Sequence, residues 1–122
     1  MFYIGWNSGT STTRMSLVAG LAISSDGGET FERNSRAPLL ERSDLEPYSI
    51  LTAPYVLYSN TKKIWEMWYV SCEGWRNKDL PTYNIKYAYS NDCVNWTRDA
   101  KICIDFIDNN ETALARPYVL FE

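Results

Sequence analysis

The chain has 122 residues, 45% of them hydrophobic, with a net charge of −3 and no histidine. That length suits one domain with its own core, and the apolar content excludes general disorder. The slightly acidic balance lacks the basic footprint of a nucleic-acid binder, and no apolar run is long enough to span a bilayer, so neither a nucleic acid nor a membrane is expected as partner.

The N-terminal MFYIGWNSGT has neither a basic region nor an apolar leader, so no secretory signal is expected and the chain is assigned to the cytoplasm. Within it, 2–7 reads as a first strand, short and rich in aromatic residues. A second strand is predicted over 17–24. It runs into the phrase SSDGGETF at 24–31, which fits the pattern S-x-D-x-G-x-T-W/F, the Asp box. In such a turn the aspartate accepts backbone N–H groups, glycine takes a positive φ, and the aromatic tucks inward to anchor the hairpin. A short strand follows at 30–34.

The segment LLERSDLEPY (39–48) has room for a helical turn, which Pro47 limits. Strands are then predicted at 50–58, 64–71 and 84–90. A looser Asp box, SNDCVNW at 90–96, keeps Ser90, Asp92 and Trp96 but loses the glycine. A strand at 95–103 and a last one at 114–121 complete the series. No stretch sustains a helical period, so the fold class is all-β.

Three of these pieces return in order. LTAPYVLYS (51–59) reappears as LARPYVLFE (114–122), with Arg116 falling 63 residues after Ala53. GLAISSD (20–26) lies over KYAYSND (86–92), 66 residues on, and FYIGW (2–6) fits over MWYVS (67–71), 65 residues on. Repetition at this period, with a turn of this kind in each copy, predicts β-propeller blades, which are four-stranded antiparallel sheets. The domain 1–122 then holds about two blades. Strands b, c and d of the first span 2–34, a full blade spans 50–103, and 114–121 is an orphan inner strand. Both ends cut through a blade and leave exposed edges. A homo-oligomer, dimer or trimer, is therefore expected, with 114–121 of one copy completing the first blade of another.

Cys72, Cys93 and Cys103 are an odd number without a CxxC spacing. They read as reduced, partly buried cysteines. Without histidine neither a usual zinc site nor a Ser-His or Cys-His nucleophile pair is available, so no metal and no cofactor is expected. Acid–base chemistry falls to carboxylates, tyrosines or lysines.

Taken together, FYIGWN, GLAISSDGGETFER, APYVLYS, KIWEMWYVS, YNIKYAYSNDCVNWTR and NETALARPYVL resemble the glycosidase-like five-bladed propellers, similar to glycoside hydrolase families of the 43 and 32 type. The resemblance implies a carbohydrate-active protein whose ligand sits over the central channel of the propeller. The Arg-Asp-Pro signature of the family 32 type is absent; the nearest phrases are 52–54 and 115–117.

Hydrolysis of a glycosidic bond needs two carboxyl groups, about 5–5.5 Å or about 6.5–9.5 Å apart. The loops ahead of the inner strands supply the candidates. Glu46 and Glu111 are the expected acid and base, with Arg116, inside an apolar strand, tuning them. Trp6 and Asn7 leave the first b strand, and Glu73 and Trp75 leave the second. With Asp44 and Tyr48 they form the expected substrate-binding set, in which Trp faces stack on sugar rings. Two other readings stand beside the enzyme: a non-catalytic sugar-binding or scaffold module made of oligomerised half-propellers, and a folded fragment without retained activity.

Overall fold

A computed structural model of the protein describes residues 1–9 and 14–121. Seven strands form one open sheet: β1 Phe2–Asn7, β2 Ser16–Ile23, β3 Glu32–Arg33, β4 Ile50–Ser59, β5 Ile64–Asn77, β6 Leu80–Ser90 and β7 Ile102–Ile104. The described residues contain no helix, so the all-β expectation holds, and none is long and apolar enough to cross a membrane. The order is β1-β2-β4-β5-β6-β7, with β3 paired to the far end of β2.

Every neighbour is antiparallel except β2 and β4, which run parallel through Leu17↔Ile50 and Val18↔Leu51. The sheet is thus two antiparallel meanders in series: a first unit, β1–β3, and a second unit, β4–β7. Their registers repeat. Phe2↔Leu21, Tyr3↔Gly20 and Ile4↔Ala19 in the first unit become Trp68↔Tyr87, Tyr69↔Lys86 and Val70↔Ile85 in the second, each residue 66 positions on. The sequence alignment had set β1 against β5 at 65. That one-residue slip matters, because it exchanges the two faces of a strand.

The core follows the alternation of β5. Met67 and Tyr69 point to one face and pack with Leu40, Leu51 and Ala88. Val70 and Cys72 point to the other and pack with Ile50 and Ile85. A strand buried on both faces reads as a continuous apolar run, as IWEMWYVSC does.

Both Asp boxes form. Ser24 Oγ donates to Asp26 Oδ1 at 2.6 Å and accepts the Gly28 N–H at 2.8 Å, while Asp26 Oδ1 accepts the Thr30 N–H at 3.0 Å. In the second box Ser90 Oγ donates to Asp92 Oδ1 at 2.9 Å and accepts the Cys93 N–H, and Asp92 Oδ1 accepts the Asn95 N–H at 2.7 Å. Cys93, with φ 64°, stands where the first box uses glycine. The aromatics differ. Trp96 packs on the core and edge-on to Phe2, but Phe31 is exposed and does not tuck inward. Trp96 has the first unit to lean on, whereas no described element lies in the same place against Phe31.

Two strand predictions are corrected. Of 95–103 only the last two residues join the ladder, in β7 (Ile102–Ile104), with an isolated bridge at Thr97. The stretch 114–121 forms no strand. Its neighbour Ala113 makes a single parallel bridge to Tyr83, and the rest lies over the sheet through Tyr118 on Tyr55 and Phe121 on Trp68.

Candidate functional site

The loop 39–48 carries Glu46 into the interior. Ser43 and Glu46 close a tight turn, exchanging N–H and C=O bonds at 3.1 Å in both directions, and Pro47 ends it. Glu46 is 1% exposed. Tyr69 and Ser71, two residues apart on β5 and so on one face, donate hydroxyls to its carboxylate at 3.0 and 2.6 Å. The Arg98 guanidinium bonds the other carboxylate oxygen and also the Glu41 carbonyl. Lys86, opposite Tyr69 on β6, brings its Nζ to 3.7 Å from Glu46 and 2.6 Å from Glu73. Two acids and two bases therefore balance. Burial, and then the neighbouring Glu46 charge, push the Tyr69 hydroxyl above its ordinary range, so it stays a donor.

This network is closed around Glu46: each of its oxygens already accepts strong donors, and the residue itself is buried. The arrangement pins the loop onto β5, β6 and the segment before β7. It leaves no face of Glu46 open to a substrate.

The other two expected catalytic groups lie elsewhere. Glu111 closes a turn like that of Glu46, with its N–H on the Asp108 carbonyl at 3.3 Å. Its carboxylate accepts the Ile107 N–H at 2.7 Å, and its carbonyl accepts Arg76 Nη2 at 2.6 Å. Glu46 and Glu111 share no partner. Arg116 is not buried in an apolar strand; it is exposed, sits at φ 57°, and makes no ion pair among the described residues.

The expected binding residues divide. Asn7, Tyr48 and Trp75 come together on an open cleft of about 500 Å³, between the end of β1, the start of β4 and the end of β5. Arg14 and Arg42 line the same cleft, and no carboxylate does. The Arg14 guanidinium lies 4.5 Å over the Trp75 ring, a cation–π contact that covers one face of the indole. Trp6 is not in this cleft; it is exposed on the far side of β1, where it lines a smaller groove with Tyr3 and Arg33. Trp6 and Trp75 are not equivalent, because Trp6 opposes Leu17 as Cys72 opposes Tyr83, and Trp75 lies beyond the bulge between Cys72 and Gly74. Asp44 is exposed in the Ser43–Glu46 turn, and Glu73 holds Lys86.

Sequence reasoning missed Lys86, Arg98, Tyr69 and Ser71 as the partners of Glu46, and Arg14 and Arg42 in the cleft. The available signal was Lys86 itself, a charge set in the strand IKYAYS between residues of alternating burial. A buried lysine demands a carboxylate.

No family model matches the chain, and no solved structure matches it. It is 33% identical over 121 residues to uncharacterized protein Rv1502 of Mycobacterium tuberculosis strain ATCC 25618 / H37Rv. It is 32% identical over the same length to uncharacterized protein MT1551 of strain CDC 1551 / Oshkosh. The match takes in 98% of this chain, but the chain spans 39% of the length of each relative.

Proposed function

We propose that the chain is a carbohydrate-binding element of a glycosidase-like β-propeller, its two meanders being blades, and that it binds sugar rather than cleaving it. The observation that carries this reading is the gathering of Asn7, Tyr48 and Trp75 on one open cleft. Arg14 covers one face of the Trp75 indole and the ring packs on the Ile50, Val70 and Ile85 cluster, so the Tyr48 phenol offers the stacking surface while the half-buried indole walls the cleft and the Asn7 amide bonds hydroxyls. The binding reading is favoured over hydrolysis because Glu46 has its oxygens filled by Tyr69, Ser71 and Arg98, and Glu111 belongs to a different cluster. Arg14 and Arg42, with no acid beside them, select a sugar carrying an anionic group such as a uronate. A reducing compartment, the cytoplasm, is proposed because Cys72, Cys93 and Cys103 are all free thiols.

The test is titration calorimetry of the chain with uronic-acid oligosaccharides and with neutral ones of equal length. Binding of the acidic series, weakened about tenfold or more by Trp75→Ala and by Arg42→Gln, is expected. Equal affinity for neutral sugars removes the anionic preference. Absence of binding to either series removes the sugar reading altogether.

A further inference from the structure

Trp75 is aimed by its strand. β5 breaks register with β6 between Cys72 and Gly74 and again between Trp75 and Asn77, so Trp75 stands between two irregularities, opposite Pro81. A bulge re-aims the side chains beside it and often marks a binding site. The indole packs on the cluster of Ile50, Val70 and Ile85, which fixes the ring. Over that ring lies the Arg14 guanidinium, 4.5 Å from its centroid. Arg14 comes from the exposed connection that leads into β2. A long side chain on such a connection has many rotamers of its own, and the indole selects among them.

The stack engages the face of the guanidinium. Its N–H donors lie in the plane of the group and point outward from its edge. Arg14 makes no ion pair among the described residues, and no acid lines the cleft. Glu73, in the bulge itself, is committed to Lys86 at 2.6 Å, and Lys86 belongs to the nest of donors around Glu46. The Tyr48 hydroxyl stands close to the same bulge: a Cβ built on Gly74 would meet its oxygen at 3.9 Å. Held donors, a phenol beside them and the second cation of Arg42 therefore share one cleft.

We infer that Arg14 is the carboxylate clamp of this cleft and that Trp75 is the positioning residue that holds it, acting on a ligand through Arg14 rather than through its own ring. The ligand is a sugar acid whose carboxylate meets the edge of the guanidinium while its ring lies on Tyr48. A planar fork matches the two oxygens of a carboxylate, and a fork already held in place loses less freedom on binding. This deepens the proposed sugar binding and rests on it for the ring, whereas the carboxylate contact stands on the geometry of Arg14 and Trp75.

Two measurements test it. The first follows the Arg14 Nε–Hε resonance by NMR while the full chain is titrated with acetate, the simplest carboxylate. A saturable shift is expected, weakened about tenfold by Trp75→Leu. Trp75→Phe, which keeps an aromatic face, should recover most of that loss. The second is titration calorimetry with uronic-acid oligosaccharides on a double-mutant cycle. Arg14→Gln should weaken binding about tenfold or more, and Trp75→Leu should cost less than about twofold once Arg14 is gone. A Trp75→Leu loss that is undiminished in the Arg14→Gln background overturns the inference, because the indole then touches the sugar itself. An Arg14 resonance that acetate leaves in place overturns it too. If acetate shifts Arg14 in a Trp75-dependent way but no oligosaccharide binds, the sugar reading fails and the clamp stands. If the oligosaccharides bind Arg14→Gln as tightly as the wild type, the clamp fails and the sugar reading stands.

Discussion

Tyr55 and Tyr118 pack ring against ring, with centroids 4.7 Å apart, and they are the same residue of a repeated phrase, 63 positions apart. The residues two places before them also agree. Ala53 has φ 46° and Arg116 has φ 57°, both in the left-handed region that non-glycine residues rarely occupy, and both just before a proline. A side chain cannot carry such likeness, since alanine and arginine share none; the backbone does. In β4 this conformation falls in the register shift between Thr52 and Tyr55. It turns the strand so that Tyr55 reaches the equivalent tyrosine. The phrase therefore encodes a bulged strand, and its second copy keeps the bend although it joins no ladder among the described residues.

The second Asp box contains a strained residue that glycine would relieve. Cys93 sits at φ 64°, where the first box has Gly27 at 77° and Gly28 at 98°. The left-handed conformation costs a non-glycine residue about 1–2 kcal/mol, partly offset by the greater chain entropy that glycine loses on folding. Cys93→Gly is expected to stabilise the chain by about 0.5–1 kcal/mol, read as a higher urea midpoint at unchanged slope. A lower midpoint would mean that the half-buried thiol contributes more by packing than its backbone loses.

The Glu46 nest is expected to behave as a structural lock. Removing one partner from a buried charge network leaves the others uncompensated, at a cost of about 3–5 kcal/mol. Glu46→Gln leaves Arg98 and Lys86 facing a neutral amide in a site that is 1% exposed. Urea unfolding should show that loss, while sugar affinity measured on the folded fraction stays at the wild-type value. A variant of wild-type stability that has lost ligand binding or turnover would place Glu46 in the functional machinery instead.

How much of this was legible in the sequence follows from what repetition can encode. The strands up to residue 90, both Asp boxes and the existence of a repeat were readable, because glycine, aspartate and alternating aromatics mark them locally. The register of β1 against β5 was missed by one residue, because matching Trp and Tyr by eye favoured Tyr3 over Trp68. Pairing with β2 and β6 sets Tyr3 over Tyr69 instead. Segment 114–121 repeats the letters of β4 but, beyond the single bridge at Ala113, pairs with no strand among the described residues, and a strand exists only through its neighbour. Of the expected binding residues, Asn7, Tyr48 and Trp75 share one cleft, and all three stand at or near strand ends. The fate of Glu46 was not legible, because burial of a carboxylate is decided by Lys86 and Arg98, 40 and 52 residues away.

Acid should unfold the chain partly through the two boxes. Hydrogen bonds from Ser24 and Thr30 hold the Asp26 carboxyl well below its ordinary 3.8, and bonds from Asn95, Val94 and Ser90 do the same for Asp92. A carboxyl with a depressed folded value stabilises the fold above its unfolded value. That contribution is lost as pH falls below about 4 toward the folded value. The urea midpoint should therefore decline across that window. Asp26→Asn and Asp92→Asn should each be less stable at pH 7 and show a shallower acid decline. An unchanged slope in both variants would assign the acid sensitivity to other carboxylates, with Glu66, held low by Lys62 and Tyr87 against the opposing effect of burial, as the next to test.

Gly20 leaves the Tyr3 ring lying against bare backbone, and filling that space tests how freely the ring can move. A methyl group built there would stand 2.4 Å from Cζ of the Tyr3 ring, closer than any real contact. The ring must move, and it can, because it lies on the open groove rather than in the core. Displacing it takes the phenol out from under Arg33. Alanine also removes the entropy that glycine loses in a strand, so Gly20→Ala should change stability by no more than about 1 kcal/mol, read as the urea midpoint. A much larger loss would mean that the Tyr3 ring is fixed in place and contributes to the fold as a core residue does.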